Sequence, residues 1–156
     1  KRRAEIGARI CAAVADYPGI QVPSITAGGR HTCWFLGLLV DQDVVGVSTS
    51  FLARALATEG APVSAHYIGR PIFMYDLLKN KRIYGNSDFP FNLQPAGSEV
   101  RYEQGETPQT EAILDDLLSV AVNENYTDEA GDGIIACFAK VFANLAELRE
   151  SFEAQQ

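Results

Sequence analysis

Residues 31–40 read HTCWFLGLLV, an almost unbroken apolar run around which the rest of the chain can be arranged. A run of this length with turn residues on both sides predicts a buried central β-strand. Gly37 within the run indicates close packing or a β-bulge. We expect Trp34 in the core, and we assign a structural role to His31 at the start of the strand.

Helical patterns lie on either side of the predicted strand. Residues 1–17 carry apolar side chains at helical spacing with charges on the opposite face, and Pro18 ends this amphipathic helix. A second helix is capped by a hydroxyl side chain within residues 48–50 and is stopped by Gly60. Residues 41–49, between the strand and this helix, are predicted to be a connection.

The rest of the chain continues the alternation of strands and helices. Extended segments are predicted at residues 20–23, 62–65 and 117–122, and a helix at residues 107–116. One long last helix is predicted to begin at Thr127, and its apolar positions from Ile134 to Phe152 keep helical spacing for about five turns. This order places the chain in the α/β class. We predict a two-layer domain in which a sheet of about three strands packs against helices.

A long segment without periodicity separates the two halves of this pattern. Residues 80–105 are rich in Asn, Gly, Pro and Ser, and a structureless stretch of this length is usually a binding loop, a lid or disordered. Phe89, Phe91 and Tyr102 argue against a disordered linker, because such linkers contain few aromatic residues. We therefore expect the loop to pack against another surface, either within residues 1–156 or in a part of the protein outside them.

Composition excludes several classes of function. With 156 residues the chain suits one domain. The net charge of −7 excludes a general binder of nucleic-acid backbones, which needs clustered Lys and Arg. The basic residues 1–3 are expected to be a solvated helix start. No apolar run reaches the roughly 18–20 residues that span a bilayer, and no signal peptide is recognisable, so we expect a cytoplasmic protein without a membrane partner.

The three cysteines are far apart in the sequence. Cys11, Cys33 and Cys137 each stand among apolar neighbours, which favours buried free thiols over disulfides. Because the chain has only two histidines and no Cys-x-x-Cys, we expect no metal site.

Residues 60–76, GAPVSAHYIGRPIFMYD, hold the strongest candidate binding residues. His66 suits hydrogen bonding or proton exchange with a ligand, or else a bond to a backbone carbonyl at the strand end. Tyr67 can pack its ring or offer its hydroxyl. Arg70 suits a phosphate or carboxylate, or a structural ion pair. Asn123 follows the last predicted strand, where a turn role and a ligand role are equally open.

No complete catalytic set is visible in the sequence. It has no GxSxG, no phosphate-binding GxxxxGK[ST], no HExxH and no GxGxxG. Considered alone, the residues therefore predict a polar binding edge and no catalytic residue.

Four segments resemble, in their order, the C-terminal small domain of the DegT/DnrJ/EryC1/StrS or sugar aminotransferase family. They read YPGIQVP, HTCWFLGLLV, FLARALATEGAPVSAHY and VAVNENYTDEAGDGIIACFAKVF. The sequence departs from the family after Tyr67, where Ile68-Gly69-Arg70-Pro71 replaces a Pro-Leu-His type continuation. This departure leaves the substrate open.

The resemblance implies a pyridoxal-phosphate enzyme of the aspartate-aminotransferase fold (fold type I). Such an enzyme moves an amino group, usually from glutamate, to a keto sugar carried on a nucleotide, and it is typically a homodimer. The Schiff-base lysine would belong to a large N-terminal domain outside these residues, and Lys79, Lys81 and Lys140 are not candidates for it. We therefore expect residues 1–156 to be a fragment that is inactive alone and binds no pyridoxal phosphate.

The resemblance also gives the candidate residues a role. His66, Tyr67, Arg70 and Asn123 would contact the substrate, with Arg70 on a sugar-nucleotide phosphate. The loop at residues 80–105 would reach toward the large domain or the partner subunit. The alternative is a stand-alone, non-catalytic α/β module that binds a small ligand or dimerises.

Overall fold

The structure, a computed structural model, describes residues 1–93 and 100–155. The chain divides into two compact units. The first consists of Lys1–Tyr67 and Asp116–Gln156, and the second of Ile68–Asp115.

The first unit is built on an antiparallel sheet. In the described part of the chain it has four strands, β1 (Ile20–Gln21), β2 (Phe35–Val40), β3 (Val63–Ala65) and β4 (Leu117–Ala121). Their order across the sheet is β1-β2-β4-β3. Every neighbouring pair is antiparallel. The predicted α/β class with a sheet packed against helices is confirmed, and the short extended segment after the first helix supplies the additional strand.

The first and second predicted helices and the predicted helix at residues 107–116 form near their expected positions, and further short helices are present. The first unit contains five helices: α1 (Arg2–Val14), α2 (Gln42–Val45), α3 (Thr49–Thr58), α6 (Asp128–Ala143) and α7 (Leu145–Glu153) among the described residues. Between β3 and β4 in the chain come a 3₁₀ helix (Ile72–Met74), α4 (Asp76–Lys79) and α5 (Pro108–Asp116). Ser48 caps α3 by accepting the Phe51 N–H at 3.2 Å. Thr127 caps α6 by accepting the Ala130 N–H at 3.3 Å. The predicted connection at residues 41–49 contains the short helix α2.

The core lies between one face of the sheet and the helices. Strand alternation points Leu36, Leu38 and Val40 of β2 into it, where none is more than 1% exposed. α1, α3 and α6 supply most of the remaining fully buried side chains, including Ile6, Ile10, Val14, Leu52, Leu56 and Phe138. The second face of the sheet carries the alternate residues of β2 and β4, among them Phe35 and Ser119.

Trp34 is not in the core, contrary to the sequence prediction. Its side chain is 76% exposed. The strand begins only at Phe35, and Cys33 before it has a left-handed backbone with φ of 51°. Because the apolar run is continuous in sequence, it conceals the point at which the turn ends and alternation begins.

The long C-terminal helix is interrupted, also contrary to prediction. α6 ends at Ala143, and α7 begins at Leu145. Asn144 between them has φ of −110° and ψ of 29°, and its side-chain amide donates to Lys140 O at 2.8 Å. A side-chain amide that bonds to the preceding turn competes with the helical backbone bonds, which explains the break.

The start of α5 agrees with the predicted position but not with the predicted cap. Among the described residues, Thr107 Oγ1 is buried without a hydrogen-bond partner. The Glu111 carboxylate instead accepts the N–H of Gly105 at 2.8 Å and that of Thr107 at 3.3 Å. A carboxylate near the helix N-terminus is favourable because it also meets the positive end of the helix dipole.

The second unit contains most of the predicted loop. Tyr102 and Phe91 lie with ring centroids 6.0 Å apart, and Phe73 is 6.0 Å from Tyr102 on another side. This cluster agrees with the expectation that the loop aromatics pack. The part of the predicted loop at residues 94–99 lies outside the described residues, so its role stays a prediction.

The basic residues at the N-terminus are paired with acidic groups around the start of α6. Arg2 Nη2 donates to Asp128 Oδ1 at 2.9 Å, and Arg3 pairs with Glu124. Arg9, about two turns further along α1, reaches the same Asp128 oxygen at 2.8 Å. The pKa of Glu124 lies below its ordinary value, because the carboxylate accepts hydrogen bonds from the backbone N–H of Glu124 and, as the next largest cause, from the Arg3 guanidinium. The expected solvated start is therefore a partly exposed ion-pair network that joins α1 to α6.

No helix in residues 1–93 and 100–155 is long and apolar enough to cross a bilayer.

Gly7 on α1 lies directly against Cys33 in the turn before β2. A Cβ at Gly7 would lie 2.5 Å from Cys33 Sγ and 2.9 Å from Cys33 Cβ. Gly7→Ala should therefore lower the free energy of unfolding by about 1–3 kcal/mol, as overpacking does. Chemical denaturation followed by circular dichroism would measure this change.

Gly133 on α6 provides the matched control, because a Cβ there meets nothing within 4 Å. Gly133→Ala should raise the free energy of unfolding by about 0.8–1 kcal/mol through helix propensity alone. If both alanines stabilised the protein equally, Cys33 would not lie against α1 as described.

Candidate functional site

The turn after β3 is the most strained backbone in the first unit. His66 has φ of 63° and Tyr67 has φ of 48°, both in the left-handed region. Each such non-glycine residue costs on the order of 1–3 kcal/mol and persists only where its surroundings hold it. The His66 N–H donates to Leu117 O at 2.7 Å, which fixes the turn to the start of β4. Strain of this kind is concentrated at functional sites, so the turn is a candidate for one.

The His66 side chain is half-buried against α3. Its Nε2 lies 2.7 Å from Ser50 Oγ in the first turn of that helix. This hydroxyl contact orients the imidazole toward α3. The sequence left a ligand or a backbone carbonyl open as the partner of His66. The structure adds the Ser50 hydroxyl, which no sequence pattern indicates as a partner.

An aromatic ledge, formed by Trp34, Phe35 and Tyr67, stands beside the turn. The rings of Phe35 and Tyr67 stack with centroids 5.0 Å apart and an angle of 17°. Trp34 is 76% exposed and Tyr67 is 58% exposed. Exposed aromatic surface grouped in this way is typical of a binding site rather than of an ordinary protein surface.

The ledge borders a groove of about 620 Å³, which lies where β2 begins and β4 ends. Its lining combines the aromatic ledge with polar groups, chiefly Arg3, Ser64, Ser119 and Asn123. A mixed apolar and polar lining suits a small organic ligand better than an inorganic ion. Two of the four predicted site residues, Tyr67 and Asn123, are thus brought together.

Ser119 in the floor of the groove has an unsatisfied hydroxyl. The residue is 7% exposed, and its Oγ has no hydrogen-bond partner among the residues that the structure describes. It lies opposite Gly37 of β2 and Ser64 of β3 in the strand register. A buried hydroxyl without a partner costs about 1–3 kcal/mol, which a bound polar group could recover.

Asn123 combines the two roles that the sequence left open. Its Oδ1 accepts the Asn125 N–H at 2.9 Å, and its backbone oxygen accepts the Tyr126 N–H at 3.2 Å. These bonds form the turn before α6. The exposed side chain also lines the groove, so it is placed to contact a ligand.

Arg70 lies in the second unit, where it stacks on an aromatic ring. Its guanidinium carbon is 4.4 Å from the centroid of the Tyr75 ring. The Tyr75 hydroxyl donates to Ile68 O at 2.6 Å, which fixes that ring. Within the described ranges no ion pair involves Arg70, so the structural ion pair considered from the sequence is not seen. Arg70 itself is exposed to solvent.

Sequence reasoning missed Trp34, Phe35 and Ser119 as groove residues. Trp34 and Phe35 were included in the buried run. The signal that could have separated them is the alternation counted back from Leu36, which assigns Phe35 to the second face of the sheet. Ser119 could not be identified from the sequence, because only the structure shows that its buried hydroxyl has no partner among the described residues.

The groove has no lysine to which pyridoxal phosphate could attach. Of the lysines in the chain, none lines the groove. Lys140 is on α6 and pairs with Glu59 at 2.6 Å, while Lys79 and Lys81 belong to the second unit. Nor does the described part of the chain contain a group of three or more His, Cys, Asp or Glu side chains that could hold a metal ion.

Comparison with solved structures shows the same fold in aminotransferases. A DegT DnrJ EryC1 StrS aminotransferase from Brucella abortus matches with a TM-score of 0.56 and 20% identity, over 90% of this chain and 30% of its own. The aminotransferase TlmJ from Streptoalloteichus hindustanus matches with a TM-score of 0.59 and 19% identity, over 93% and 32%. The predicted resemblance is confirmed at the level of the fold.

Sequence comparison finds a partial match to a polysaccharide biosynthesis protein. The spore coat polysaccharide biosynthesis protein SpsC of Bacillus subtilis (strain 168) is 33% identical over 91 residues, which is 58% of this chain and 23% of SpsC. No protein-family model matches the sequence. The chain therefore spans less than a third of the length of the relatives and structures named here.

Proposed function

We propose that residues 1–156 form the C-terminal small domain of a pyridoxal-phosphate-dependent sugar aminotransferase. The complete enzyme would act in the cytoplasm as a homodimer, and it would transfer an amino group from an amino acid, usually glutamate, to a nucleotide-linked keto sugar. The observation that carries the proposal is the fold match to two aminotransferases over 90% and 93% of the chain. The partial identity with a polysaccharide biosynthesis protein supports a sugar substrate.

The part of the reaction given to this chain is binding and orienting the substrate. Tyr67 and Phe35 provide a flat apolar wall on which a planar or weakly polar ring can pack. Ser119 and Asn123 provide hydrogen-bonding groups in the same groove. A nucleotide-linked sugar combines these two kinds of surface in one molecule.

The strained turn is proposed to hold the groove wall in position. The left-handed conformation of His66 and Tyr67 aims the Tyr67 ring at Phe35, and Ser50 and Leu117 hold the turn from two sides. A wall held in this way does not have to be ordered when substrate binds, which reduces the entropic cost of binding.

Arg70 is proposed to bind a phosphate of the nucleotide. Its guanidinium is exposed, and the planar contact with Tyr75 limits the orientations that it can adopt. A planar guanidinium with several N–H donors suits bidentate contact with phosphate oxygens.

Pyridoxal phosphate, when bound to the complete enzyme, supplies the chemistry that carries the amino group. The described lysines do not fit that cofactor, so its attachment is assigned to residues beyond this chain. The contribution of residues 1–156 is then confined to holding the substrate and excluding water from it.

A label-transfer experiment tests the proposed activity. The complete protein that carries this chain is incubated with glutamate labelled in its amino nitrogen and a panel of nucleotide-linked keto sugars, and the products are analysed by mass spectrometry. We expect the label in an amino sugar still linked to its nucleotide. A protein that binds both pyridoxal phosphate and a nucleotide sugar but transfers no label would instead be a non-catalytic binding module.

A further inference from the structure

Cys33 lies directly against α1, one helical turn from a second cysteine. It is 4% exposed, in the turn that leads into β2. The missing side chain of Gly7 leaves room for it, since a Cβ at Gly7 would be only 2.5 Å from Cys33 Sγ. Cys11 follows Gly7 by four residues in α1, so both positions are on the same helix face. The fold therefore places both cysteines, which are 22 residues apart in sequence, at the same face of α1, Cys11 on the helix and Cys33 against it.

His31 completes this cluster. Its Nδ1 lies 3.0 Å from Cys33 Sγ and also 3.0 Å from the backbone nitrogen of Cys33. Because the Cys33 N–H donates to Nδ1, that nitrogen is an acceptor and the ring proton is assigned to Nε2. The single lone pair of Nδ1, which now accepts the Cys33 N–H, lies within 3.0 Å of the thiol sulfur and can accept its proton instead.

We propose that Cys11 and Cys33 form a reversible disulfide, with His31 as the base that activates Cys33 and a small-molecule disulfide such as oxidised glutathione as the oxidant. This modification site is independent of the proposed transferase activity. The two thiols differ in access, since Cys11 is half-buried and Cys33 is buried. The oxidant therefore meets Cys11 first.

The exchange takes place in two balanced steps. Cys11 loses its proton and attacks one sulfur of oxidised glutathione, so that a mixed disulfide forms and one glutathione leaves as a thiol with that proton. Cys33 then gives its proton to His31 Nδ1 and attacks the Cys11 sulfur. The Cys11–Cys33 bond forms, and the second glutathione leaves with the proton from His31. Two protein thiols are oxidised, and one glutathione disulfide is reduced to two thiols.

The environment explains why the site needs a base. Burial raises the pKa of Cys33, and burial followed by the nearby Cys33 raises the pKa of Cys11. At neutral pH both groups are therefore mainly thiols, which are poor nucleophiles. A neighbouring imidazole removes this limitation for Cys33.

Cys137 provides a matched control within the same chain. It is on α6, where its Sγ donates to Glu59 O at 3.2 Å.

The test uses the purified protein, treated with oxidised glutathione and then digested for peptide mass spectrometry without reduction. We expect a Cys11–Cys33 cross-linked peptide in the wild type and in Cys137→Ser, reversed by dithiothreitol. Trp34 is the only tryptophan and adjoins Cys33, so its fluorescence should change with the same time course. In Cys11→Ser both signals should be lost.

His31→Gln separates the base from a merely structural role. It should form the mixed disulfide at Cys11 at the wild-type rate, and its conversion to the Cys11–Cys33 bond should slow by on the order of a hundredfold. The inference would be overturned by glutathione that stays on Cys11 in the wild type, or by a cross-link that forms with Cys137 instead. Equal second-step rates in wild type and His31→Gln would exclude His31 as the base.

Discussion

Replacing Phe138 by alanine is expected to lower the free energy of unfolding by about 3–5 kcal/mol. The side chain, on α6, is 0% exposed and belongs to the cluster that joins the helices to the sheet. Truncation removes the transfer free energy of the ring and leaves a cavity that close-packed neighbours fill only partly. Urea denaturation, with the midpoint and slope compared between variants, would measure the loss.

Trp34→Ala is the informative control for this experiment. It also removes an aromatic ring, but from a side chain that is 76% exposed. We expect a change within about 0.5 kcal/mol, as at other surface positions. If Trp34→Ala cost as much as Phe138→Ala, Trp34 would belong to the core as its sequence context suggested, and the ledge would not exist.

The sequence was sufficient for elements whose signals are local. The cap at Ser48, the apolar spacing of α1 and the run that contains β2 all depend on neighbouring residues, and each element formed near its predicted position. The α/β class followed from their order. Two predictions were wrong because a continuous apolar pattern extends across a boundary between two elements. One boundary is Asn144, between α6 and α7, and the other is the turn before β2.

The candidate site was only partly predictable for a different reason. Tyr67 and Asn123 stand next to strand ends, which the sequence can locate. The stacking of Phe35 on Tyr67 depends on the antiparallel arrangement of β2, β3 and β4, and no local pattern indicates that order. The contact between His31, Cys33 and α1 is likewise tertiary. From sequence spacing alone, the three cysteines are isolated thiols.

Tyr67→Ala, in the complete enzyme, is expected to raise the KM for the nucleotide-linked keto sugar about tenfold. The ring against which the sugar substrate is proposed to pack would be lost. A ring contact is worth about 0.5–1.5 kcal/mol, and 1.4 kcal/mol of binding free energy corresponds to a factor of ten in affinity. Tyr67→Phe keeps the ring and should stay close to the wild type. The KM for glutamate should be unchanged in both variants, because the proposed role of this wall is to hold the sugar substrate.

The most direct test of this account is therefore the steady-state KM for each of the two substrates in wild type, Tyr67→Phe and Tyr67→Ala. The prediction is a selective rise in the KM for the nucleotide-linked keto sugar in Tyr67→Ala, with the protein still folded and carrying pyridoxal phosphate. An unchanged KM for that sugar in Tyr67→Ala would contradict the claim that the groove beside Tyr67 is the substrate-contacting part of a sugar aminotransferase.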